Sequence, residues 1–235
     1  MTVESLDVLS AGAAKAVVTA LAGTFQDARG IAVVATFDAA GAIRARLLAG
    51  DPCDVLILPK PMLETLADDK HAERASIASL GRVPTGIAIL QRAVQPAIND
   101  ATSLRVTLER ASALYCPDLE RATAGIHFLR MLRDLGIDDR VATRIHAHPN
   151  GAAAMAAMAA AGDPAAIGCT QASEILYTPG VTLVGPLPEP FALATDYRAA
   201  VASASRHASV AREFCETLCG SHSRALRLRS GFQAE

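Results

Sequence analysis

A chain of 235 residues that is 51% apolar is too apolar for disorder and long enough to bury a core as one large domain or two small ones. Its net charge of −2, with the signs interspersed, excludes a nucleic-acid footprint, and 4% aromatics with no Trp exclude a stacking platform for bases or sugars. No stretch has the uninterrupted apolar length of a membrane span, so membrane insertion is not expected.

In chain order, residues 6–10 read as a short buried strand that breaks at Ser10-Ala-Gly-Ala-Ala-Lys15 and runs directly into a helix over 13–28. Such a break leaves the first N–H groups of the helix without intrahelical partners, with the helix dipole behind them. Small side chains let a ligand approach that backbone, which makes an anion seat. A strand over 31–37 leads through Ala35-Thr-Phe-Asp-Ala-Ala-Gly41 into a helix over 40–49. The apolar run Asp54-Val-Leu-Ile-Leu-Pro59 ends a strand over 53–59, and a helix over 61–69 and a strand over 82–91 follow. This β-α-β-α-β order predicts a parallel, doubly wound sheet.

After Leu90 the pattern changes, and Gln91 to Thr102 reads as an exposed connection. A second α/β set follows: helix 102–110, strand 112–116, helix 125–135, strand 141–147, helix 151–161 and strand 165–170. Next come the β-rich segments Val181 to Pro188 and Phe191 to Tyr197, and a closing helix from about Ala204 to Leu226. Pro186, Pro188 and Pro190 mark a stiffened return crossing. The expected organisation is one discontinuous lobe, residues 1–88 plus 192–235, and a second lobe over 89–191. A ligand cleft is expected between them, where strand C-termini and helix N-termini meet.

Two further small-residue loops, Pro117 to Gly125 and His148-Pro-Asn-Gly151, also feed helices, which suggests one small polar ligand gripped mainly by backbone. The candidate contacts are Ser10, Ala11, Gly12, Ala13, Lys15, Ala40, Gly41, Thr85, Thr123, Ala124, Gly125, Asn150 and Gln171. Gly12 and Gly125 are read as positions of close ligand approach. Thr123 is an N-cap or a ligand contact, and Lys15 is a solvated charge or a cation near the seat. Gln171 stands where a strand ends and a helix begins, so its amide can orient a ligand. Glu174 caps that same helix or acts as a base.

No metal or cofactor signature is present: GxSxG, P-loop, GxGxxG and CxxC are all missing. His146 and His148 share a strand face without a further donor at ligand spacing. His127, one turn inside its helix, reads as structural. Five cysteines without framework spacing suit free thiols, and Cys215 and Cys219 share one helix face as core fillers. Met1-Thr-Val-Glu-Ser-Leu-Asp7 has neither a cationic n-region nor an apolar h-region. The chain as written is therefore expected in the cytoplasm, or in the periplasm if an export signal has been removed.

Ser10-Ala-Gly-Ala-Ala-Lys15, the run from Ala40 to Leu58, Ala124-Gly-Ile-His-Phe128, Ile167-Gly-Cys-Thr-Gln-Ala-Ser-Glu-Ile-Leu176 and Leu183 to Pro188 together resemble the molybdate-binding-protein-like group of periplasmic solute-binding proteins. The resemblance spans nearly the whole chain. It implies the type II α/β architecture of two lobes closing on a ligand, with a permease partner if the protein is exported. Molybdate binders place serine hydroxyls in the first two loops, where this chain has Ala13 and Ala40. Each unmade bond to a charged ligand costs about 1–3 kcal/mol, so a carboxylic acid is expected in place of molybdate. A branch that resembles aconitate isomerase implies the alternative of a cytoplasmic isomerase or tautomerase. It would act on an unsaturated polycarboxylic acid by proton abstraction and reprotonation. Asp38, His127, His146, His148 and Glu174 are the candidate bases, and the sequence singles out none of them.

Overall fold

The computed structural model describes residues 5–233. Met1 to Glu4, part of the stretch read for an export signal, lie outside the described residues, as do residues 234–235. The elements in chain order begin with β1 (Ser5–Ala11), a 3₁₀ turn (Gly12–Ala14), α1 (Lys15–Arg29), β2 (Ala32–Asp38), α2 (Ala40–Leu48), β3 (Val55–Pro59), α3 (Lys60–Asp68) and β4 (Ala78–Leu90). They continue with α4 (Ala101–Arg110), β5 (Leu114–Pro117), α5 (Thr123–Asp134), α6 (Asp138–Val141), β6 (Ile145–His148), α7 (Gly151–Ala161), β7 (Ile167–Gln171), α8 (Ala172–Tyr177) and β8 (Val181–Pro186). The last are β9 (Ala194–Val201), α9 (Ala208–Cys219) and α10 (Arg224–Arg229).

The chain divides into two compact units, one of Met1–Arg82 with Asp196–Glu235 and one of Val83–Thr195. It passes from the first to the second within β4 and returns within β9. In the first unit the strand order is β2-β1-β3-β9, with β1 parallel to both β2 and β3. Every residue of β3 is buried, as a strand covered on both faces requires. Val17, Val18 and Phe25 of α1 and Phe214 of α9 pack in its core, with the two Phe rings edge to face at 5.0 Å. Such a ring pair adds about 0.5–1.5 kcal/mol beyond the area it buries.

The second unit has the order β8-β4-β7-β5-β6. The strand period of two sorts its core onto two faces. Ile87, Ile89, Leu114 and Cys116 pack with Leu104, Leu108, Phe128 and Met131. Ala88, Ala113 and Tyr115 pack with Met155, Met158 and Ile175. The Ala/Met sequence of α7 suits this place, because a helix of small residues can lie close on the sheet and fill the remaining gaps with Met.

Three details differ from the sequence expectation. The sheets are mixed: β9 runs antiparallel to β3, and β4 runs antiparallel to β7 and β8. Helical crossovers make parallel pairs, but β4 and β9 carry the chain between units and enter in the opposite sense. Residues 141–144 are helical rather than strand, since Ile137 and Val141 bury themselves one turn apart. The closing helix is broken after Cys219. Gly220 is extended (φ −65°, ψ 167°), and a Cβ there would lie 2.7 Å from the Glu216 carbonyl oxygen.

Candidate functional site

Ala11 pairs in register with Asp38 across the parallel strands β1 and β2, so the chain leaves both strands at the same edge of the first unit. The exit from β1 is a 3₁₀ turn rather than a direct entry into the helix, with Ala11 at its N-cap and Gly12, Ala13 and Ala14 buried. Neither this turn nor α1 nor α2 receives a side-chain cap. The first N–H groups of α2, at Ala40, Gly41 and Ala42, have no intrahelical partner by helix geometry. Around these starts the side chains are local. The Ser10 hydroxyl donates to the Ala11 carbonyl (3.0 Å), and Asp38 accepts the Ala39 N–H (2.8 Å). The Lys15 ammonium lies 5.8 Å from the centre of the Phe37 ring, a cation–π distance.

In the second unit β5, β6 and β7 run parallel, and Thr85 of antiparallel β4 pairs with Gln171 at the end of β7. Thr85, Thr123 to Gly125, Asn150 and Gln171 therefore share one edge of that sheet. Their local roles differ from each other. Asn150 is the N-cap of α7 and accepts the Ala153 N–H (2.9 Å). Thr123 is the first residue inside α5, whose N-cap is Ala122, so it does not cap that helix. Ala124 and Gly125 are buried, but the group that approaches Gly125 is the chain itself. A Cβ there would collide with the Asp118 carbonyl oxygen and lie 2.6 Å from that of Pro117. This glycine is demanded by packing of the β5–α5 turn rather than by a ligand.

The α7 start corrects another expectation. Glu174 lies inside α8, yet its buried carboxylate reaches the start of α7, where it is hydrogen-bonded to the Gly151 and Ala152 backbone and accepts the Thr170 hydroxyl (2.6 Å). The chain thus supplies its own carboxyl oxygens to that helix start, and α7 has no open seat to offer. Burial raises the Glu174 pKa above its ordinary value, while the Thr170 hydroxyl and the Ala152, Gly151 and Gln171 backbone groups pull it down.

His127 is held by the Phe191 carbonyl (2.8 Å), a structural role. His146 and His148 both stack on the Tyr115 ring, at 5.0 and 6.0 Å between centroids. Burial, and then His146, lower the pKa of His148. Among the described residues no three His, Cys, Asp or Glu side chains gather as metal donors.

Four buried side-chain polar atoms lack a hydrogen-bond partner among the described residues, and three of them are at this edge: Thr85 Oγ1, Gln171 Oε1 and Ser173 Oγ. Each costs about 1–3 kcal/mol if left unpaired, so their clustering is informative. Gln171 Nε2 donates to Thr195 Oγ1 (3.2 Å). Ser173 and Thr195 were missed by sequence reasoning, because a lone Ser or Thr gives no signal before β4, β7 and β9 are brought together. Also missed was a cavity of about 540 Å³ in the first unit, where β1 and β3 begin, lined by Cys53, Asp54, Lys70, His71 and Arg206. Burial pushes the Cys53 thiol up to about 12.

A family model described as bacterial extracellular solute-binding protein matches residues 6–233. An aconitate isomerase from Pseudomonas sp. is 28% identical over 222 residues, 92% of this chain and 82% of that protein. Among solved structures, the periplasmic molybdate-binding protein of Azotobacter vinelandii superposes with a TM-score of 0.80 at 18% identity, covering 98% of this chain and 99% of that one. The sulfate-binding protein SubI of Mycobacterium tuberculosis gives 0.77 at 16% identity, covering 97% and 86%. At these identities the superpositions establish the fold.

Proposed function

The chain belongs to the bacterial extracellular solute-binding protein family, and from that premise we propose that it binds a small carboxylic acid. The observation that carries this reading is the pair of small-residue helix starts at the ends of β1 and β2, which have backbone donors and no side-chain cap. Gly12 to Ala14 and Ala40 to Ala42 offer N–H groups and a dipole without a hydroxyl. The solved neighbours named above bind molybdate and sulfate, ions that present acceptors in every direction and profit from hydroxyl donors around them. A planar carboxylate needs only two or three converging N–H groups, which small-residue turns supply. The similarity to an aconitate isomerase supports the same ligand class. If the protein is exported, its partner is a permease.

The test is thermal stabilisation of the purified full chain by a panel of di- and tricarboxylic acids, with molybdate, tungstate and sulfate as comparators. A ligand at a hundredfold excess over Kd contributes about 2.7 kcal/mol, enough to move Tm measurably. The carboxylic acids are expected to raise Tm and the inorganic ions are not. Stabilisation by molybdate or tungstate alone would overturn the reading.

The alternative reading, an isomerase of an unsaturated polycarboxylic acid, draws on that same relative. Of the candidate bases, Asp38 stands beside the α2 start, where its carboxylate accepts the Ala39 N–H, and it is the base to test. Proton NMR in D₂O on an unsaturated tricarboxylic acid reads this directly. Solvent deuterium exchange that disappears in Asp38→Asn supports the enzyme, and no exchange with intact binding supports the binder.

A further inference from the structure

Thr85 is fully buried in β4, and Gln171, 3% exposed, faces it in register from β7. The Thr85 backbone is fully engaged: its N–H donates to the Leu193 carbonyl (2.8 Å), and its own carbonyl accepts the Leu187 N–H (3.0 Å). Only the hydroxyl is left, and it has no partner among the described residues. The Gln171 amide is half engaged, since Nε2 donates to Thr195 while Oε1 has no partner. The neighbouring Thr170 shows what a satisfied hydroxyl here looks like, bound to the Glu174 carboxylate at 2.6 Å. A buried hydroxyl and a buried amide oxygen left unpaired on register partners call for a further group that satisfies them.

We propose that Thr85 and Gln171 select a hydroxy acid. The Thr85 hydroxyl donates to a ligand carboxylate, and Gln171 Oε1 accepts from an alcohol on the adjacent carbon. An anion with acceptors alone cannot satisfy Oε1, because a carbonyl oxygen accepts and never donates. A site built to bond a substrate hydroxyl rejects the analogue that lacks it, since its own buried polar group is then stranded. This inference rests on the carboxylic-acid reading above and adds the second functional group of the ligand. Thr195 is a positioning residue here, holding one end of the amide so that the other is presented.

The experiment is calorimetry of the full chain with two pairs of acids that differ by one hydroxyl, malate against succinate and citrate against tricarballylate. In at least one pair the hydroxylated acid is expected to bind at least about tenfold more tightly. Gln171→Leu and Thr85→Val are expected to shrink that preference to about threefold or less, and Thr85→Ser, which keeps the hydroxyl, to retain it. Equal or tighter binding of the deoxy acids by the native chain would overturn the inference and leave the carboxylic-acid reading standing. That outcome would mean the amide presents its NH₂ end instead. A preference unchanged in both Gln171→Leu and Thr85→Val overturns it too. Binding of none of the four acids removes the inference and the reading together.

Discussion

Gly125 shows how a single residue changes meaning once its neighbours are known. From the sequence, a glycine opening a helix is a place for a ligand to come close. In the fold, the Pro117 and Asp118 carbonyl oxygens already fill the space where a Cβ would go. Gly125→Ala is therefore expected to lose about 1–3 kcal/mol of stability with no ligand present, read from the urea midpoint. An unchanged midpoint would return the glycine to the ligand. Glu174 carries a prediction of opposite character. Burial raises its folded-state pKa above the ordinary 4.5, so the carboxyl contributes stability that is complete below the unfolded value. That contribution is lost as the pH rises through the raised value. Wild type minus Glu174→Gln, followed by thermal melts from acid to neutral pH, should therefore shrink as the pH rises. A difference that grows would show that the bonds from Thr170 and the α7 start outweigh burial.

The elements themselves were largely legible because their local signals agree. β3 is a short apolar run closed by Pro59, α4 opens on a capping box between Asp100 and Ser103, and α7 spans the same residues, 151–161, in sequence and structure. The closing helix fails this test, since the span read as one helix from 204 to 226 is interrupted at Gly220-Ser-His-Ser223. What sets the break is tertiary. Arg227 of α10 donates to the Leu80 carbonyl of β4 (2.7 Å) and to those of Cys219 (3.1 Å) and Gly220 (3.2 Å), and Ser223 donates to Leu218 (2.7 Å). A straight helix would carry this guanidinium away from all three carbonyls. Arg227→Met keeps the aliphatic stem and removes the donors, so a loss of about 1.5–3 kcal/mol is expected in chemical denaturation. A loss under about 0.5 kcal/mol would assign the break to Gly220 alone.

For the whole molecule, the path of the chain makes a directional prediction. Val83–Thr195 is contiguous and has hydrophobic clusters on both faces of its sheet, whereas the first unit draws β9 and α9 from the far end of the sequence. Residues 1–82 alone lack the strand that pairs with β3 over Val55 to Pro59 and the Phe214 that meets Phe25. Expressed alone, 1–82 is expected to stay unfolded. Joined to 196–235 by a short linker in place of the second unit, it is expected to give dispersed amide NMR signals and a cooperative melt. β4 and β9 are neighbouring strands, so the linker need bridge only about one strand spacing. A cooperative melt of 1–82 alone would refute the dependence on β9.

No helix among the described residues is long and apolar enough to cross a membrane. Element type followed from periodicity, and the sheet edge at which each unit's candidate residues lie followed from β-α order, because both are set by neighbours along the chain. The resemblance to solute-binding proteins was also legible, carried by the order of several loose motifs from Ser10 to Pro188 rather than by any one. Three things waited for tertiary structure: which helix starts keep their donors, which are filled by the chain's own carboxylate, and which polar atoms are stranded. Glu174 reaches the start of α7 from α8, and Thr85 meets Gln171 from a strand more than eighty residues away. Sequence patterns record the period of one segment, whereas a hydrogen-bond account needs every partner that folding delivers to the same place.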